Sequence, residues 1–133
     1  MNKSLAGLLF LIVDDEMAIR EAMGFHLAKQ GAQLLEAENG IDALRIASEG
    51  KPDVIISDVH MPGENADGVS FFLKVKELTP YRPIFILITG FAKIQREEAL
   101  RLGVSEFLEK PFKFDVLEKT IKRLLGKRLE VQA

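Results

Sequence analysis

Short apolar runs alternate along the chain with segments in which apolar residues recur every three or four positions. The first run, Leu8–Val13, is apolar at every position, which predicts a buried strand. Ile19, Met23 and Leu27 then recur at regular helical spacing, which predicts an amphipathic helix that ends at Gly31. The same alternation of strand and helix signals is repeated along the whole chain.

Glycine and proline residues separate the predicted elements, because both residue types end regular structure. The predicted strands are Leu8–Val13, Gln33–Ala37, Val54–Ile56, Ile84–Ile88 and Glu106–Glu109. Three later helices are predicted over Ile41–Ser48, over Lys93–Leu102 before Gly103, and over Phe114–Leu125. A further helix is predicted after Gly68, with Val69, Phe72 and Leu73 on one side. A helix follows each strand, as in α/β proteins built from parallel βαβ units.

The polarity of the strands predicts their order in the sheet. The first, third and fourth strands are apolar throughout, as expected for strands that helices cover on both faces. The second and fifth carry Gln33, Glu36, Glu106 and Glu109, which is typical of edge strands. These features predict a flavodoxin-like five-stranded parallel sheet of order 2-1-3-4-5, in which ligands bind at the carboxyl ends of strands one and three.

Composition narrows the possible functions. The 133 residues fit one domain, and the absence of cysteine excludes disulfides, thiolate metal sites and cysteine nucleophiles. A net charge of −2 without a basic stripe gives no indication of direct nucleic-acid binding. No apolar stretch approaches the roughly 20 residues that cross a bilayer, so we expect a soluble protein without membrane contact. The absence of cysteine fits a reducing cytoplasm, where we expect the protein to act. We expect residues 1–125 to form the domain and residues 126–133 a short polar tail or linker stub.

Polar side chains capable of chemistry follow four of the predicted strands. Asp14 and Asp15 follow the first strand, Asp58 the third, Thr89 the fourth and Lys110 the fifth. Because the carboxyl ends of parallel strands lie at one edge of a sheet, we expect these groups in one crevice. Three carboxylates, a hydroxyl and an ammonium group there would suit Mg²⁺ and a transferred phosphoryl group.

Each of these residues also has a simpler structural explanation. Asp14, Asp15 or Thr89 could cap a helix, Asp58 could belong to a turn, and Lys110 could be a solvated charge. Their joint occurrence at four strand ends favours a functional site over four unrelated structural roles.

Four segments around these residues resemble the signatures of bacterial response-regulator receiver domains, such as those of chemotaxis regulators. The segments are Val13–Glu16, Asp58–Pro62, Ile88–Gly90 and Leu108–Phe112. They occur in the order typical of the family, and the similarity covers the chain from about Leu8 to Leu125. The loop from Pro62 to Gly68 departs from the family pattern because it is longer than usual.

The resemblance implies a phosphorylation-dependent signalling switch of a two-component system. Asp58 would accept the phosphoryl group from a histidine kinase or a phosphotransfer protein. Asp15 and Asp58 would ligate Mg²⁺ directly, together with the backbone carbonyl of His60, and Asp14 would act through a metal-bound water. Lys110 would pair with the phosphoryl group.

The resemblance also implies how the switch responds. Thr89 would turn inward to hydrogen-bond the phosphoryl group, and Phe107 would move into the space that Thr89 leaves. Lys110–Pro111 would be a cis peptide. His60 and Phe91 lie where the family tunes dephosphorylation, and we expect both bulky side chains to slow the attack of water.

Output would pass through the face formed by the fourth helix, fifth strand and fifth helix, to an effector protein or domain or through a homodimer. The protein would catalyse only its own phosphorylation and dephosphorylation. Alternatively, the chain is a receiver module of a larger regulator or hybrid kinase. A flavodoxin-like cofactor binder is disfavoured because Asp14–Glu16 replaces the phosphate-binding loop it needs. An aspartyl-nucleophile hydrolase is disfavoured because the sequence shows no substrate-capping element.

Overall fold

Five parallel strands form the sheet of the computed structural model, which describes residues 3–90 and 94–132. The strands are β1 (Leu9–Val13), β2 (Gln33–Ala37), β3 (Val54–Asp58), β4 (Ile84–Thr89) and β5 (Glu106–Glu109). Their spatial order is β2-β1-β3-β4-β5, and each neighbouring pair is parallel. The predicted flavodoxin-like α/β fold and the predicted edge strands are therefore confirmed.

A helix follows every strand and covers one face of the sheet. The helices are α1 (Met17–Lys29), α2 (Gly40–Gly50), α3 (Gly68–Lys76), α4 (Arg96–Leu102) and α5 (Phe114–Gln132). Apolar side chains of α1 and α5 pack on one face, and those of α2, α3 and α4 pack on the other. This arrangement leaves the carboxyl edge of the sheet as the place where the strand-to-helix loops converge.

Alternation along the central strands explains the two-sided core. In β1, Phe10 and Ile12 face the α1–α5 layer, whereas Leu11 and Val13 face the other layer, and all four are fully buried. Successive side chains of a strand point to opposite faces, so a strand covered on both sides must be apolar at every position. The continuous apolar run Leu8–Val13 is explained by the central place of β1 in the sheet.

The buried face of α3 differs from the prediction. Phe71, Phe72 and Val75 are buried, whereas Leu73 is 42% exposed and was wrongly placed on the packed side. The rings of Phe71 and Phe72 lie 5.4 and 4.9 Å from the ring of Phe85 in β4. Contact between the aromatic rings of α3 and the ring on the facing side of β4 thus fixes the rotation of α3 about its axis.

The bounds of α4 and α5 differ from the prediction by more than those of the other helices, and the predicted start of α4, Lys93, lies outside the described residues. Within the described residues α4 begins at Arg96, because Gln95 has extended backbone angles, and its end at Gly103 has the left-handed conformation expected there. The predicted end of the last helix at Leu125 is wrong, since α5 continues through the predicted polar tail. Arg128 docks this continuation, donating hydrogen bonds to the carbonyls of Asp53 and Arg82 at 3.4 and 2.6 Å. In the part of the chain that is described, no helix is long and apolar enough to cross a membrane.

Candidate functional site

The ends of four strands bring the candidate residues to one edge of the sheet. Asp58 is the last residue of β3 and Thr89 the last of β4, while Asp14 and Lys110 directly follow β1 and β5. Asp14, Asp58 and Thr89 are all buried, although aspartate and threonine are usually exposed. Burial of polar residues at converging loops is typical of a site rather than of a plain turn.

Lys110 connects the two buried aspartates. Its Nζ atom donates hydrogen bonds to Oδ2 of Asp14 at 3.0 Å and to Oδ2 of Asp58 at 3.1 Å. These residues are separated by 96 and 52 positions in the chain, so the fold alone brings them together. One ammonium group thus serves two carboxylates, which leaves this part of the site with excess negative charge.

The electrostatic balance differs between the two partners of the Asp58–Lys110 pair. Burial raises the pKa of Asp58 above its ordinary value, and the nearby Asp14 carboxylate adds to the rise, while Lys110 opposes it. Burial lowers the pKa of Lys110, but its hydrogen bonds to Asp14 and Asp58 outweigh this effect and raise the pKa overall. Desolvation therefore dominates at the carboxylate, and the two acceptors dominate at the ammonium group.

The acidic turn after β1 gathers three carboxylates. One oxygen from each of Asp14, Asp15 and Glu16 lies within 4.8 Å of the others, with Asp14 buried and the other two exposed. Oδ1 of Asp14 accepts a hydrogen bond from the backbone N–H of Glu16 at 2.9 Å, which shapes the turn. These are hard oxygen donors of the kind that Mg²⁺ prefers, so the residues fit that ion.

Glu16 was missed by the sequence reasoning as a member of this group. Its position directly after Asp14 and Asp15 was the available signal, but the resemblance assigned it no role. Arg20 was also missed. Its Nη1 atom donates to the backbone carbonyl of Asp14 at 2.6 Å, a contact that no sequence motif indicates.

The residues expected to act as the switch lie in the interior. Thr89 is 1% exposed, and Phe107 is 2% exposed and packs in the core layer between the sheet and α2, α3 and α4. Beside Phe107, the carboxylate of Glu106 is buried and contacts Arg96 at 2.8 Å and Arg123 at 2.6 Å. These ion pairs join α4, β5 and α5, and Glu106 therefore has a structural importance that its edge-strand position did not indicate.

His60 and the Lys110–Pro111 bond lie close to Asp58. The backbone N–H of His60 donates to Oδ1 of Asp58 at 3.2 Å, and the His60 side chain is exposed. The Lys110–Pro111 peptide is cis. Phe91, the other residue expected to tune dephosphorylation, lies outside the described residues.

The loop from Pro62 to Gly68, after β3, packs against the start of α2. Ala66 within this loop is buried, and its carbonyl accepts a hydrogen bond from the backbone N–H of Gly40 at 2.8 Å. The loop ends at Gly68, whose N–H donates to the carbonyl of Val59 at 2.9 Å. A Cβ atom on Gly68 would lie 2.1 Å from the carbonyl oxygen of Asp58, so only glycine fits here. Contacts with α2 thus hold this loop, and its last residue returns closely to Asp58.

Comparison with known proteins places this chain in a family. A sequence profile described as the response regulator receiver domain matches residues 10–122. The chain belongs to this family. The receiver domain is 35% identical over 116 residues to the protein PilH of Pseudomonas aeruginosa, covering 87% of this chain and 96% of PilH. The structure of the chemotaxis response regulator CheY4 of Vibrio cholerae is 31% identical, with a TM-score of 0.76 and coverage of 88% and 98%.

The receiver domain also matches parts of longer regulators. It is 32% identical over 111 residues to the transcriptional regulatory protein GlrR of Escherichia coli K12, covering 84% of this chain. The chain spans about a quarter of the length of GlrR, since the match covers 24% of that protein. The family relationship makes this chain a receiver domain of two-component systems, and thus a signalling protein.

Proposed function

We propose that this receiver domain is a phosphorylation-dependent switch that accepts a phosphoryl group on Asp58 with the help of Mg²⁺. The observation that carries the proposal is the pair of hydrogen bonds from Lys110 to Asp14 and Asp58. One ammonium group is here shared by two acids that the fold buries at the ends of different strands. The uncompensated negative charge would be offset by a bound cation.

Asp15 and Asp58, with the backbone carbonyl of His60, would hold Mg²⁺ directly, and Asp14 would hold it through a water. The proximity of Asp15 to Asp14, within the 4.8 Å group of carboxylate oxygens, supports this assignment. When bound, the ion would offset the negative charge of the phosphoryl oxygens, so that an anionic donor can approach an anionic acceptor.

The donor would be a phosphohistidine of a histidine kinase or phosphotransfer protein. A carboxylate oxygen of Asp58 would attack phosphorus, forming an O–P bond as the P–N bond breaks, and the bonding electron pair would return to the imidazole nitrogen. Asp58 must be ionised to attack, and Lys110 favours that form against the effect of burial. After transfer, Lys110 would exchange its contact with the Asp58 carboxylate for one with a phosphoryl oxygen.

The response would pass through Thr89 and Phe107 to the α4–β5–α5 face and from there to an effector protein or domain, or to a second receiver domain. Phosphorylation would bias a two-state equilibrium of this face. The burial of Thr89 beside the site and the ion pairs of Glu106 with α4 and α5 support a mechanical connection between Asp58 and that face. We expect the protein to act in the cytoplasm and to catalyse only its own phosphorylation and dephosphorylation.

The proposal is tested by binding of beryllium fluoride, which mimics a phosphoryl group on a carboxylate. Fluorine NMR of the wild-type protein should show a bound signal that requires Mg²⁺. Asp58→Asn should abolish the signal, whereas Asp115→Asn, which removes the same charge from an exposed position in α5, should retain it. A bound signal that persists in Asp58→Asn, or that forms equally well without Mg²⁺, would refute the proposal.

A further inference from the structure

Arg20 lies on the first turn of α1 and reaches back to the acidic turn that precedes the helix. Its Nη1 atom donates a hydrogen bond to the backbone carbonyl oxygen of Asp14 at 2.6 Å. Its Nε atom lies 3.3 Å from Oε1 of Glu36 in β2, the strand that pairs with β1. The side chain of Arg20 is only 14% exposed, so the guanidinium group is held in place on both sides.

The contact from Arg20 means that every polar group of Asp14 has a hydrogen-bond partner. Its two carboxylate oxygens accept from the Glu16 N–H and from Lys110, and its own N–H donates to the carbonyl of Ala37 at 3.2 Å. The carbonyl oxygen is the one remaining polar group of Asp14, and Arg20 binds it. Because the peptide group is planar, fixing this oxygen also fixes the orientation of the N–H and Cα of Asp15.

We infer that Arg20 is a positioning residue for the proposed Mg²⁺ site, and that it acts through the Asp14–Asp15 peptide rather than through its charge. Glu36 supports Arg20 in turn by binding Nε, so that Nη1 points toward the turn. The guanidinium group has the forked geometry that this requires, with separate N–H donors for a carbonyl and a carboxylate. A lysine in its place offers the same charge at a single atom.

This inference rests on the proposed function. The direction in which the Mg²⁺ affinity changes when Arg20 is replaced distinguishes a positioning role from a purely electrostatic one. Loss of a positive charge close to three carboxylates should tighten Mg²⁺ binding if Arg20 acts only through its electrostatic field. Loss of an orienting contact should weaken it, since partners that orient metal ligands typically contribute tenfold or more to affinity. The two explanations therefore predict opposite changes.

The test is a titration with Mg²⁺ alone, followed by the amide NMR signals of Asp15 and Glu16, which also report whether each variant is folded. We expect Arg20→Ala to weaken Mg²⁺ binding about tenfold, Arg20→Lys to recover part of the loss, and Glu36→Gln to weaken binding to a smaller extent. Arg45→Ala is the matched control. Arg45 in α2 and Arg20 line one surface groove, and the guanidinium group of Arg45 pairs with Glu49 rather than with the acidic turn, so this variant removes the same charge without changing a contact to Asp14. The Mg²⁺ affinity of Arg45→Ala should equal that of the wild type or be slightly higher.

Unchanged or tighter binding in Arg20→Ala would overturn the inference. If that variant does not fold, Arg20→Lys and Glu36→Gln decide the matter, and wild-type affinity in both would overturn it equally. A failure of the proposed function has a different signature, because the wild-type protein would then bind neither Mg²⁺ nor beryllium fluoride. That result would also refute the positioning role of Arg20.

Discussion

The Nζ atom of Lys110 lies 3.1 Å from a carboxylate oxygen of Asp58, although 52 positions separate the two residues in the chain. The same Nζ atom also binds Asp14. This shared contact links the ends of β1, β3 and β5. It makes Lys110 the residue whose removal should disturb the site most broadly.

We predict that Lys110→Ala lowers the rate of phosphorylation by a small-molecule acyl phosphate about a hundredfold, the usual effect of removing one charge-stabilising donor. The pKa of Asp58 should rise further, because Lys110 is the main group that opposes the effect of burial. The pH dependence of the rate should therefore shift to higher pH. Lys113→Ala, at an exposed neighbouring position, serves as the control and should leave both the rate and its pH dependence unchanged.

Asp58→Asn should stabilise the protein at neutral pH, by an amount on the order of 1 kcal/mol, the common size of single-substitution effects. Burial raises the pKa of Asp58 above its ordinary value of 3.8, so ionisation costs the folded state more than the unfolded state. Below pH 3.8 the carboxyl is protonated in both states and the cost disappears. The cost grows as the pH rises from that value through the raised pKa of the folded state.

Urea unfolding of the wild type and Asp58→Asn between pH 3 and pH 7 measures this difference. The gain in stability should be present at neutral pH and vanish at the acidic end. A variant that is less stable than the wild type at pH 7 would show that the contact with Lys110 outweighs burial.

Glu106→Gln should lower the free energy of unfolding by about 2 kcal/mol, since hydrogen bonds to charged groups contribute that much. Glu106 is 6% exposed and its carboxylate binds Arg96 and Arg123, so glutamine removes the negative charge and leaves a single amide oxygen as acceptor for the two guanidinium groups. Glu109→Gln, at an exposed position of the same strand, should change stability by less than a quarter of that amount. Equal effects of the two variants in urea unfolding would contradict the structural importance of the Glu106 ion pairs.

Gly68→Ala should destabilise the domain by about 4 kcal/mol or more, which is an exceptional effect for a single methyl group. The added Cβ atom would lie 2.1 Å from the carbonyl oxygen of Asp58, and backbone at both positions would have to move. Gly126→Ala is the contrasting control, because nothing lies within 4 Å of its Cβ position on α5. That variant should gain roughly 0.5–1 kcal/mol from the higher helix propensity of alanine, and thermal unfolding would show the two shifts in opposite directions.

The order of the strands was predictable because burial on both faces demands a continuous apolar run. β1, β3 and β4 satisfy this demand, while the polar residues of β2 and β5 are compatible only with the edges. The meeting of Asp14, Asp58 and Lys110 followed from the same argument, since parallel strands place their carboxyl ends together.

Contacts that depend on side-chain reach were not predictable in this way. Arg123 binds Glu106 across 17 positions and Arg128 reaches Asp53 across 75, and no periodic pattern records such pairs. The continuation of α5 beyond Leu125 was missed because its mostly polar residues form no apolar stripe. Arg128 holds this part of the helix against the domain by donating hydrogen bonds to the backbone carbonyls of Asp53 and Arg82. Leu73 was misplaced because Phe71, Phe72 and Leu73 are consecutive apolar residues, so more than one rotation of α3 satisfies helical spacing. The contacts of Phe71 and Phe72 with the ring of Phe85 decide between these rotations.

The central claim, phosphorylation of Asp58, is tested most directly by intact-mass spectrometry after incubation with an acyl phosphate donor and Mg²⁺. The wild-type protein should gain the mass of one phosphoryl group, and chelation of Mg²⁺ should prevent the gain. Borohydride reduction before proteolysis should locate the modification at Asp58, and Asp58→Asn should show no gain. A phosphoryl group found on another residue of the wild type, or an undiminished gain in Asp58→Asn, would contradict the account.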